Sequence, residues 1–525
     1  MTKIPDPRMP TISQAVPVDP HQLPERAAAL LDDGYRVALI AAHDDRLSGS
    51  PDGSSDGTGL RVVYLFTRGE TLGRAESRIE LQLRLDPAAP RLPSLARLSF
   101  PAGRFEREMH DLFGILVTDH PLPQRLVRHF HWPRGWHPML SDAGAPPAFG
   151  DVEGPYPFRT VEGPGVYEIP VGPVHAGMIE PGHFRFSVVG ETILNLKARL
   201  WFVHRGIEKL FQNRTPEHGV ELAERVSGDT SVGHTLAFCQ AVEDARSIQV
   251  SENVARRRAV LCELERLYNH VTDIGALCND VAHSILNAHA QRIREQLLRI
   301  NDQVTGHRLL RGAIRPGVTT LAALPDPTHL ASLAGDIAEI AALALAHSVI
   351  RDRFTGTAVL TTQQAHDIGA LGYVARASGL AVDARHDHPT HTARFVRAEP
   401  TTTAGDVLAR FCARTDEITY SVAILTTLLA HLDGDLGTNQ KANERVASAS
   451  PSGTPRSGVG IVEGWRGTIV HRVELDGTDR LTRCKIVDPS FLNWPALPAA
   501  LTDTIVPDFP LVNKSFNLSY AGNDL

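Results

Sequence analysis

Length, composition and charge exclude several kinds of protein. The chain has 525 residues, 42% hydrophobic and 22% charged, which is typical of a soluble globular protein with two or more domains. A formal net charge of -7 gives no overall basic surface for nucleic acid. The five cysteines form no C-x-x-C pair, which argues against an iron–sulfur cluster or structural zinc held by this chain alone.

The first part of the chain, residues 20–140, is predicted to be a small α+β domain. Apolar periodicity predicts a helix over Glu25–Asp33, and a Gly/Ser/Asp run predicts a hairpin tip at Ser48–Gly59. Short apolar runs predict three strands, over Val37–Ala42, Val62–Thr67 and Ile79–Leu85. Proline and glycine crowd Gly144–Gly165, so residues 141–165 are predicted to be an extended linker to a second domain at 166–525.

The second domain is predicted to open with strands over Val166–Val189 and then to be mainly helical. Apolar residues from Val260 to Ile285 recur at alternating steps of four and three, which predicts one long buried helix. Similar patterns predict helices over Glu191–Asn213, His329–Phe354, Thr361–Ala377 and Ala404–Leu432. The apolar run Ala331–Ile350 is interrupted by charges, so we expect an amphipathic helix and no membrane span.

Alternation over Gly460–Val487 predicts a small β-meander, and the prolines of Val506–Leu525 predict an ordered extended tail. The predicted fold class is therefore α+β: a small N-terminal α+β domain followed by a mainly helical domain with a small β-meander near the C-terminus. No Gly-rich phosphate loop lies between a strand and a helix, so we do not expect this chain to bind a nucleotide directly.

Arg104–His120 reads RFEREMHDLFGILVTDH. It resembles the E-R-E-x-x-D-L-F-G-I signature of the complex I subunit that docks on the quinone-site subunit. Read without that resemblance, its apolar residues pack a helix and its charges cap that helix. The second interpretation is favoured for this segment, because the matching family residues belong to an interface.

Two further stretches frame a metal pocket without its cysteines. Glu224–Glu243 reads ERVSGDTSVGHTLAFCQAVE and Val487–Asn493 reads VDPSFLN. They resemble the R-x-C-x-x-C and D-P-C-x-x-C motifs that hold the metal pair in nickel-iron hydrogenase large subunits. The four cysteine positions are occupied by Ser227, Thr230, Ser490 and Asn493. Nickel beside a low-spin iron needs soft sulfur donors, whereas these are hard neutral oxygens, so we expect no nickel in this chain.

The chain resembles, over nearly its whole length, the complex-I-related branch of membrane-bound hydrogenases. In that branch, hydrogenase large subunits and the quinone-site subunit of complex I share one fold. A docking-subunit-like domain fused to a hydrogenase-like domain is the arrangement of formate hydrogenlyase-type large subunits. The resemblance implies a similar fold and a place in a membrane oxidoreductase.

Gly172–Phe186 reads GPVHAGMIEPGHFRF and resembles the loop that enters the active cavity in both relatives. The resemblance implies that His175 or His183 meets a quinone head group and that Glu180 lies on a proton route. A neutral histidine can donate to a quinone carbonyl, and a carboxylate with a raised pKa can relay protons. Taken without the resemblance, the two histidines cap turns beside proline and glycine.

Two features bear on the expected cavity. Quinone-site relatives carry a tyrosine after the aspartate that matches Asp229, where this chain has the weaker proton donor Thr230. The segment His204–Leu210 resembles the H-R-G-x-E-K-L helix of both relatives, with His204 and Glu208 expected on one face, either at the cavity rim or in solvent. We predict a polar, metal-free cavity in which His234 and Asp488 face each other, lined by Ser227, Asp229, Thr230, His234, Asp488 and Ser490.

The residues and the resemblance leave two functions open. In the first, the chain is the peripheral-arm large subunit of a complex-I-like oxidoreductase and passes electrons from an iron–sulfur small subunit to quinone or another acceptor. The candidate catalytic residues are His175, Glu180, His183, Asp229, Thr230 and His234, and the candidate cofactor-binding residues are Ser227, Asp488 and Ser490. In the second, the chain is a coupling or scaffold subunit without catalysis. The missing cysteines disfavour a third, a working nickel-iron hydrogenase.

The resemblance also implies partners and a location. We expect an iron–sulfur small subunit, which would hold the cluster, and antiporter-like membrane subunits. The chain would then lie at the cytoplasmic face of the cell membrane as a peripheral protein, associated with the membrane through its partners only.

Overall fold

Helices and several small sheets together form the chain, so the predicted α+β class is confirmed. The computed structural model describes residues 12–46, 59–69, 77–148, 150, 154–176, 178–389, 400, 402–432 and 453–525. The predicted hairpin tip lies outside these residues except for Gly59. The domain boundaries proposed from the sequence remain predictions.

The N-terminal part is a four-stranded sheet covered by helices. Its strands are β1 (Ile12–Pro17), β2 (Arg36–Asp44), β3 (Leu60–Arg68) and β4 (Ser77–Leu85), in the order β1-β4-β3-β2 with β1 parallel to β4 and the other pairs antiparallel. The two helices are α1 (Leu23–Asp32) and α2 (Phe100–Phe113). Two short strands, β5 (Arg91–Pro93) and β6 (Leu116–Thr118), pair with each other in parallel. The helix and the three strands predicted for this part are confirmed.

The charges of α2 are buried, so the expectation that they cap the helix is wrong. Glu106 accepts hydrogen bonds from the Ser94 hydroxyl (2.6 Å) and the Leu95 N–H (2.7 Å). Asp111 accepts from the N–H groups of Leu126 and Val127 at 2.7 and 2.8 Å. A buried carboxylate needs such partners to offset the loss of water. The acidic residues of the signature therefore fix the loops around α2.

Buried ion pairs attach this sheet to the C-terminal part. Strands β12 (Arg456–Gly464), β13 (Gly467–Leu475) and β14 (Leu481–Val487) form the predicted antiparallel meander. On β13, Arg472 pairs with Glu80 at 2.8 Å, and Glu474 pairs with Arg61 at 2.8 Å. On β14, Lys485 pairs with Glu108 of α2 at 2.8 Å. Breaking one member of such a pair would leave an uncompensated buried charge, so the two parts are held in one arrangement.

A helical bundle makes up most of the remaining chain. Its long members are α5 (Ser231–Arg246), α6 (Glu252–Asp280), α7 (Ser284–Thr305), α8 (Pro327–Ala346) and α13 (Val407–Ala430). Shorter helices complete it: α3 (Ile207–Leu210), α4 (Pro216–Ala223), α9 (Ser348–Phe354), α10 (Thr362–Ile368), α11 (Gly372–Ala377) and α12 (Ala384–Asp387). A two-residue strand pair, β10 (Ile314–Arg315) and β11 (Val318–Thr319), lies between α7 and α8.

Three helices predicted as continuous are divided in the structure. The seam from Val260 to Ile285 is shared between α6 and α7, because Ala282 adopts φ +66° and turns the chain, which leaves Ile285 67% exposed. The helix predicted over His329–Phe354 is divided into α8 and α9 at His347, whose backbone is extended. The helix predicted over Thr361–Ala377 is divided into α10 and α11, because Gly369 adopts φ +76° and ends α10.

The prediction of a helix over Glu191–Asn213 is wrong except for the single turn α3. Its first half is a strand, β9 (Thr192–Arg199), which pairs with β8 (His183–Val189) in a sheet that also includes β7 (Val166–Val171). Gly190 at φ +59° makes the hairpin turn between β8 and β9. The partner strand therefore decides the structure of this segment.

The C-terminal tail is helical, not extended. Val506–Leu525 contains α16 (Phe509–Phe516) and α17 (Tyr520–Asp524), and it is preceded by α14 (Pro489–Asn493) and α15 (Ala496–Leu501). Pro510 lies in the first turn of α16, where proline is tolerated because that N–H has no partner within the helix. Phe516 and Tyr520 are buried, so the tail belongs to the core.

Two glycines of β12 bring α5 against the meander. A Cβ at Gly460 would lie 2.0 Å from the Ala237 carbonyl oxygen, and one at Gly458 would lie 2.2 Å from that of Ala241. Only glycine allows the helix backbone to approach the strand this closely. Since β14 leads directly into α14, this contact sets the distance between α5 and α14.

One described helix, α8, is long and apolar enough to cross a membrane by length and composition. It packs against α7 and α13, and 33% of its most apolar window is buried. Leu330, Leu333 and Ile337 face the bundle and Glu339 faces outward, which is the arrangement of an amphipathic helix.

We predict that Leu267→Ala destabilises the bundle. Leu267 is 2% exposed in α6, and removing a buried leucine side chain costs about 2–5 kcal/mol in the free energy of unfolding. Chemical unfolding followed by circular dichroism measures this loss. Ile285→Ala, at an exposed position, is the control and should cost about 0.5 kcal/mol or less. Equal losses in the two variants would contradict the burial described here.

Candidate functional site

His234 and Asp488 meet at the centre of the candidate site. His234 lies in the first turn of α5, and Asp488 follows β14 and caps α14 by accepting the Ser490 N–H at 2.7 Å. His234 Nε2 lies 3.0 Å from Asp488 Oδ2, and both side chains are buried. Burial alone would raise the pKa of Asp488, but the hydrogen bond and charge of His234 outweigh burial and hold that pKa below its usual range. The two residues therefore face each other in direct contact.

Ser519, just before α17, joins the two motif serines. Its Oγ lies 2.8 Å from Ser227 Oγ, and its N–H donates to Ser490 Oγ at 2.9 Å. Ser227 Oγ also donates to Asp229 Oδ1 at 3.0 Å. Two of the four expected metal-ligand positions thus bind a third serine. We call Ser227, Ser490 and Ser519 the serine junction.

The other two positions also have partners within the protein. Thr230 Oγ1 donates to Asp229 Oδ1 at 3.0 Å and accepts from Trp465 Nε1 at 3.1 Å. Asn493 accepts from the Leu371 N–H at 2.8 Å and donates to the Leu371 carbonyl at 3.2 Å. The side chains predicted to line the polar cavity therefore hydrogen-bond one another and their neighbours, and the cavity itself stays a prediction. The larger cavities described, of about 510 and 530 Å³, are lined by other residues.

Asp229 is the part of the cluster that reaches solvent. Its side chain is 40% exposed and forms a bidentate pair with Arg466, with distances of 2.6 and 2.7 Å. Burial opposes ionisation, but the Arg466 guanidinium outweighs it, so the pKa of Asp229 is lowered. Arg466 also lies over the Trp465 ring at 3.9 Å. Asp229 therefore stays ionised at neutral pH.

The loop residues surround the cluster unequally. Glu180 accepts the Ala521 N–H at 3.1 Å, which joins the loop to α17, two residues after Ser519. His183 opens β8, and its Nδ1 lies 3.1 Å from the Gly172 carbonyl oxygen. His175 is exposed on the loop. Glu180 is thus tied to the segment that carries Ser519, and His183 is bonded within its own loop.

His204 and Glu208 do not share a helix face, because α3 begins only at Ile207. His204 Nδ1 lies 2.7 Å from the Asp524 carbonyl oxygen. Glu208 is buried and pairs with Arg483 at 2.7 Å and with Lys485 at 3.1 Å. Burial would raise the pKa of Glu208, but these two cations lower it. Glu208 is therefore a fixed ion-pair partner, neither a solvated charge nor a free rim group.

Sequence reasoning missed several residues of the site. Trp465 and Arg466 lie in a G-W-R-G turn of the predicted meander, and that setting gives no sign of their partners. Glu265 of α6 accepts the N–H groups of Val232 and Gly233 at 2.7 and 3.0 Å, which caps α5 from another helix. Burial raises the pKa of Glu265 to about 8. Only contacts distant in sequence give these residues their roles.

The described part of the chain contains no group of three or more His, Cys, Asp or Glu residues placed to hold a metal ion. What the cluster offers is hydrogen-bond donors and acceptors, one exposed carboxylate beside a guanidinium, and an imidazole held against a buried carboxylate. This arrangement can position and exchange protons.

Three family models match successive parts of the chain. Residues 16–147 match the 30 Kd subunit of respiratory-chain NADH dehydrogenase, residues 205–279 match nickel-dependent hydrogenase, and residues 280–524 match the 49 Kd subunit of respiratory-chain NADH dehydrogenase. The three matches follow the chain from its N-terminal sheet to its last helix.

Known proteins are similar over most of their length. The chain is 29% identical over 459 residues to formate hydrogenlyase subunit 5 of Escherichia coli (strain K12), covering 85% of this chain and 79% of that protein. It is 30% identical over 430 residues to hydrogenase-4 component G of the same strain, covering 80% and 73%. It is 28% identical over 432 residues to the C/D subunit of NADH-quinone oxidoreductase from Phocaeicola vulgatus, covering 78% and 81%.

A solved structure shows a similar fold. A chain of the membrane-bound sulfane sulfur reductase, an archaeal respiratory membrane complex, superposes with a TM-score of 0.61 at 21% identity. The superposition covers 69% of this chain and 98% of that chain. At this identity the likeness concerns the fold alone.

We predict that Glu265→Gln makes the stability of the chain less sensitive to pH. The pKa of Glu265 is about 8 when folded and near 4.5 when unfolded, so its contribution to wild-type stability is complete below 4.5 and is lost as pH rises through 8. Glutamine does not titrate, so the variant should gain more than about 1 kcal/mol relative to wild type between those two pH values. Thermal unfolding at both pH values measures this, and a constant difference between the proteins would contradict it.

Proposed function

Because the chain belongs to the family of complex-I-related large subunits, we propose that it passes electrons from a partner iron–sulfur subunit to a quinone or another acceptor without a nickel–iron site. In this family, parts matching the 30 and 49 Kd subunits of respiratory-chain NADH dehydrogenase are fused. The family resemblance read from the sequence is confirmed, and with it the assignment to oxidoreductase complexes. The electron path and the absence of nickel are our proposals.

The proposal is supported by which residues occupy the four expected metal-ligand positions and by the hydrogen bonds those residues make. A nickel–iron pair needs thiolates, and these positions supply two serines, a threonine and an asparagine. Each of the four already has hydrogen-bond partners within the protein, through Ser519, Asp229, Trp465 or Leu371. The residues present therefore do not fit the metal pair.

The quinone in this proposal would be bound by residues of the loop and α17. The Tyr520 hydroxyl is buried and has no hydrogen-bond partner of normal geometry among the described residues, although Asn513 lies nearby. Its ring packs against Gly182 of the loop, where a Cβ would lie 2.9 Å from Cε1. Tyr520, Glu180 and His183 would hold a quinone head group between the loop and α17. A bound quinone supplies a site that accepts electrons together with protons.

The chain's own residues have distinct parts in this proposal. Glu180, joined to the Ala521 N–H, would carry protons between the loop and α17. Asp229 and Arg466 keep an ionised pair at the solvent-facing side of the cluster. His234, held against Asp488, keeps a hydrogen on Nε2. His175 lies outside the buried cluster, which makes it a candidate for contact with an acceptor that approaches the loop.

The partners and location extend this proposal. The relatives named above belong to hydrogenase and NADH-quinone oxidoreductase complexes, and one solved relative is part of a respiratory membrane complex. We therefore propose an iron–sulfur small subunit, antiporter-like membrane subunits, and a peripheral location at the cytoplasmic face of the membrane.

One observation favours a second candidate, a scaffold or coupling subunit without catalysis. Ser227 and Ser490 both hydrogen-bond Ser519, which holds the segment before α5, α14 and the segment before α17 together. The cluster therefore has a structural role whether or not an acceptor binds. In this case the fold would connect its partners, and Glu180 and His183 would stabilise the loop.

Purification of the intact complex from detergent-solubilised membranes separates the two candidates. We expect an iron–sulfur subunit to co-purify, its reduced cluster to be reoxidised by added quinone, and quinone to be extractable from the preparation. Electron paramagnetic resonance follows the cluster. A complex whose reduced cluster is indifferent to quinone and other acceptors would reject the redox proposal and support the scaffold.

We predict that Glu180→Gln slows quinone reduction by roughly a hundredfold, because glutamine keeps the shape and the hydrogen bond to Ala521 but carries no proton. Turnover in membranes measures the rate, and the yield of purified complex shows that assembly is intact. Glu339→Gln, on the exposed face of α8, is the matched control and should behave as wild type. Wild-type turnover in Glu180→Gln would remove Glu180 from the mechanism.

A further inference from the structure

Three arginines lie close together where the N-terminal part meets β9. Arg104 and Arg107 lie on α2, and Arg199 is the last residue of β9. Arg107 is 9% exposed and Arg199 is 4% exposed. Both donate to backbone carbonyl oxygens, whereas Arg104 donates to the side-chain oxygen of Asn523 at 3.3 Å. No carboxylate of the described residues forms an ion pair with any of the three arginines.

Two aromatic rings connect the three guanidinium groups. Arg107 Nη2 donates to the Tyr156 hydroxyl oxygen at 3.2 Å, and Arg199 Cζ lies 4.6 Å from the centroid of the Tyr156 ring. Arg199 Cζ also lies 5.6 Å from the centroid of the Trp201 ring, and Arg104 Cζ lies 5.7 Å from the same centroid. The three cations are therefore neighbours. We call Arg104, Arg107, Arg199 and Tyr156 the arginine cluster.

Two hydrogen-bond donors of the arginine cluster lack an acceptor. Arg104 Nε is buried and has no hydrogen-bond partner among the described residues. The Tyr156 hydroxyl oxygen accepts from Arg107, and its own hydrogen meets no acceptor in the part of the chain that the structure describes. Buried donors are almost always satisfied in folded proteins, because an unmade hydrogen bond is costly. These donors therefore point to a bound acceptor.

The positive charge of the arginine cluster is compensated only in part. Burial and a neighbouring arginine lower the pKa of Arg104 to about 9, against the raising effects of Glu108 and Asp524. Burial lowers the pKa of Arg199 to about 10, against the raising effect of Asp111. Glu108 already pairs with a lysine, and both aspartates accept backbone N–H groups. A buried cation without a paired anion favours the binding of one.

We propose that the arginine cluster binds a phosphate group, either as inorganic phosphate or as the headgroup phosphate of a lipid. Guanidinium groups bind such oxyanions through charge-assisted hydrogen bonds, often two to one anion. Three cations and two donors without acceptors match an anion with several oxygen atoms better than they match chloride. The proposal is independent of the electron path proposed above, because it involves none of the residues of that path.

The arginine cluster is open to solvent at Tyr156. This residue is half-buried in the segment that joins the two parts of the chain, between the exposed Pro155 and Pro157. Beside Trp201, Phe202 is 37% exposed, so an apolar side chain borders the same surface. An anion therefore has a path to the hydroxyl group, and the chains of a lipid would have an apolar neighbour.

Equilibrium dialysis of the purified complex against radiolabelled inorganic phosphate, at constant ionic strength, tests the site. We expect wild type to bind about one phosphate per chain and Arg104→Gln to bind it roughly tenfold more weakly, because the variant loses one cation and the free Nε donor. Tyr156→Phe, which keeps the ring and removes the hydroxyl donor, should also bind more weakly. Equal uptake by wild type and both variants would show an adventitious ion only and would overturn the proposal.

Lipid extracts of the same preparations distinguish the two sources of phosphate. If the ligand is a lipid headgroup, wild type should retain about one more phospholipid per chain than Arg104→Gln, as measured by mass spectrometry, and should take up little labelled phosphate. If the ligand is inorganic phosphate, the lipid content should be equal and the label should bind. Equal lipid content without uptake of the label would overturn the proposal and leave a partner's acidic side chain as the counter-charge.

Thermal unfolding separates binding from a purely structural role. A ligand that binds only the folded protein raises the unfolding midpoint, so added phosphate or lipid should stabilise wild type more than Arg104→Gln. Without either ligand the variant should unfold no earlier than wild type, since it removes a buried cation that lacks a paired anion. Earlier unfolding of the variant together with an undiminished response to both ligands would show that Arg104 is structural only.

Arg299→Gln is the matched control, because Arg299 lies on α7 with its side chain 73% exposed and pairs with Glu295, outside the arginine cluster. It should bind phosphate, retain lipid and unfold as wild type does. These measurements need no turnover, so they decide on the arginine cluster even if the complex reduces no acceptor.

Discussion

Ser519 is the residue on which the arrangement of the site depends. Its hydroxyl oxygen lies 2.8 Å from Ser227 Oγ, and its backbone N–H donates to Ser490 Oγ at 2.9 Å, so three segments distant in sequence join at one residue. Each such hydrogen bond contributes only about 0.5–1.5 kcal/mol to stability. The junction therefore needs the neighbouring contacts: Asp488 with His234, Asp229 with Arg466, and the capping of α5 by Glu265.

The same arrangement explains why so many charges are buried around the site. Lys485 and Arg472 of the meander pair with Glu108 and Glu80 of the N-terminal part, and the strand that carries Lys485 continues directly into Asp488. Strand β14 therefore connects the contact between the two parts with the segment that carries Ser490. The N-terminal part thus supports the site from one side.

How much of this was visible in the sequence differs from element to element. Local patterns were sufficient for the meander and for α13, because alternation and helical periodicity are properties of neighbouring residues. They failed for β9, where the partner strand β8 decides the structure, and for the tail, where prolines lie in first turns of helices. The resemblance placed His234 beside Asp488, although 254 positions separate them. The roles of Ser519 and Arg466 were not predicted, since each acquires its role only from partners on other elements.

The nickel content of the complex shows whether the site is free of the metal pair. The complex is purified from cells supplied with nickel, and its nickel and iron are measured by mass spectrometry. The hydrogen-bonded oxygen positions predict iron from the partner subunit with nickel far below one atom per chain. Nickel at one atom per chain would contradict this, because it would mean that the serine junction opens to bind a metal that its side chains are not suited to hold.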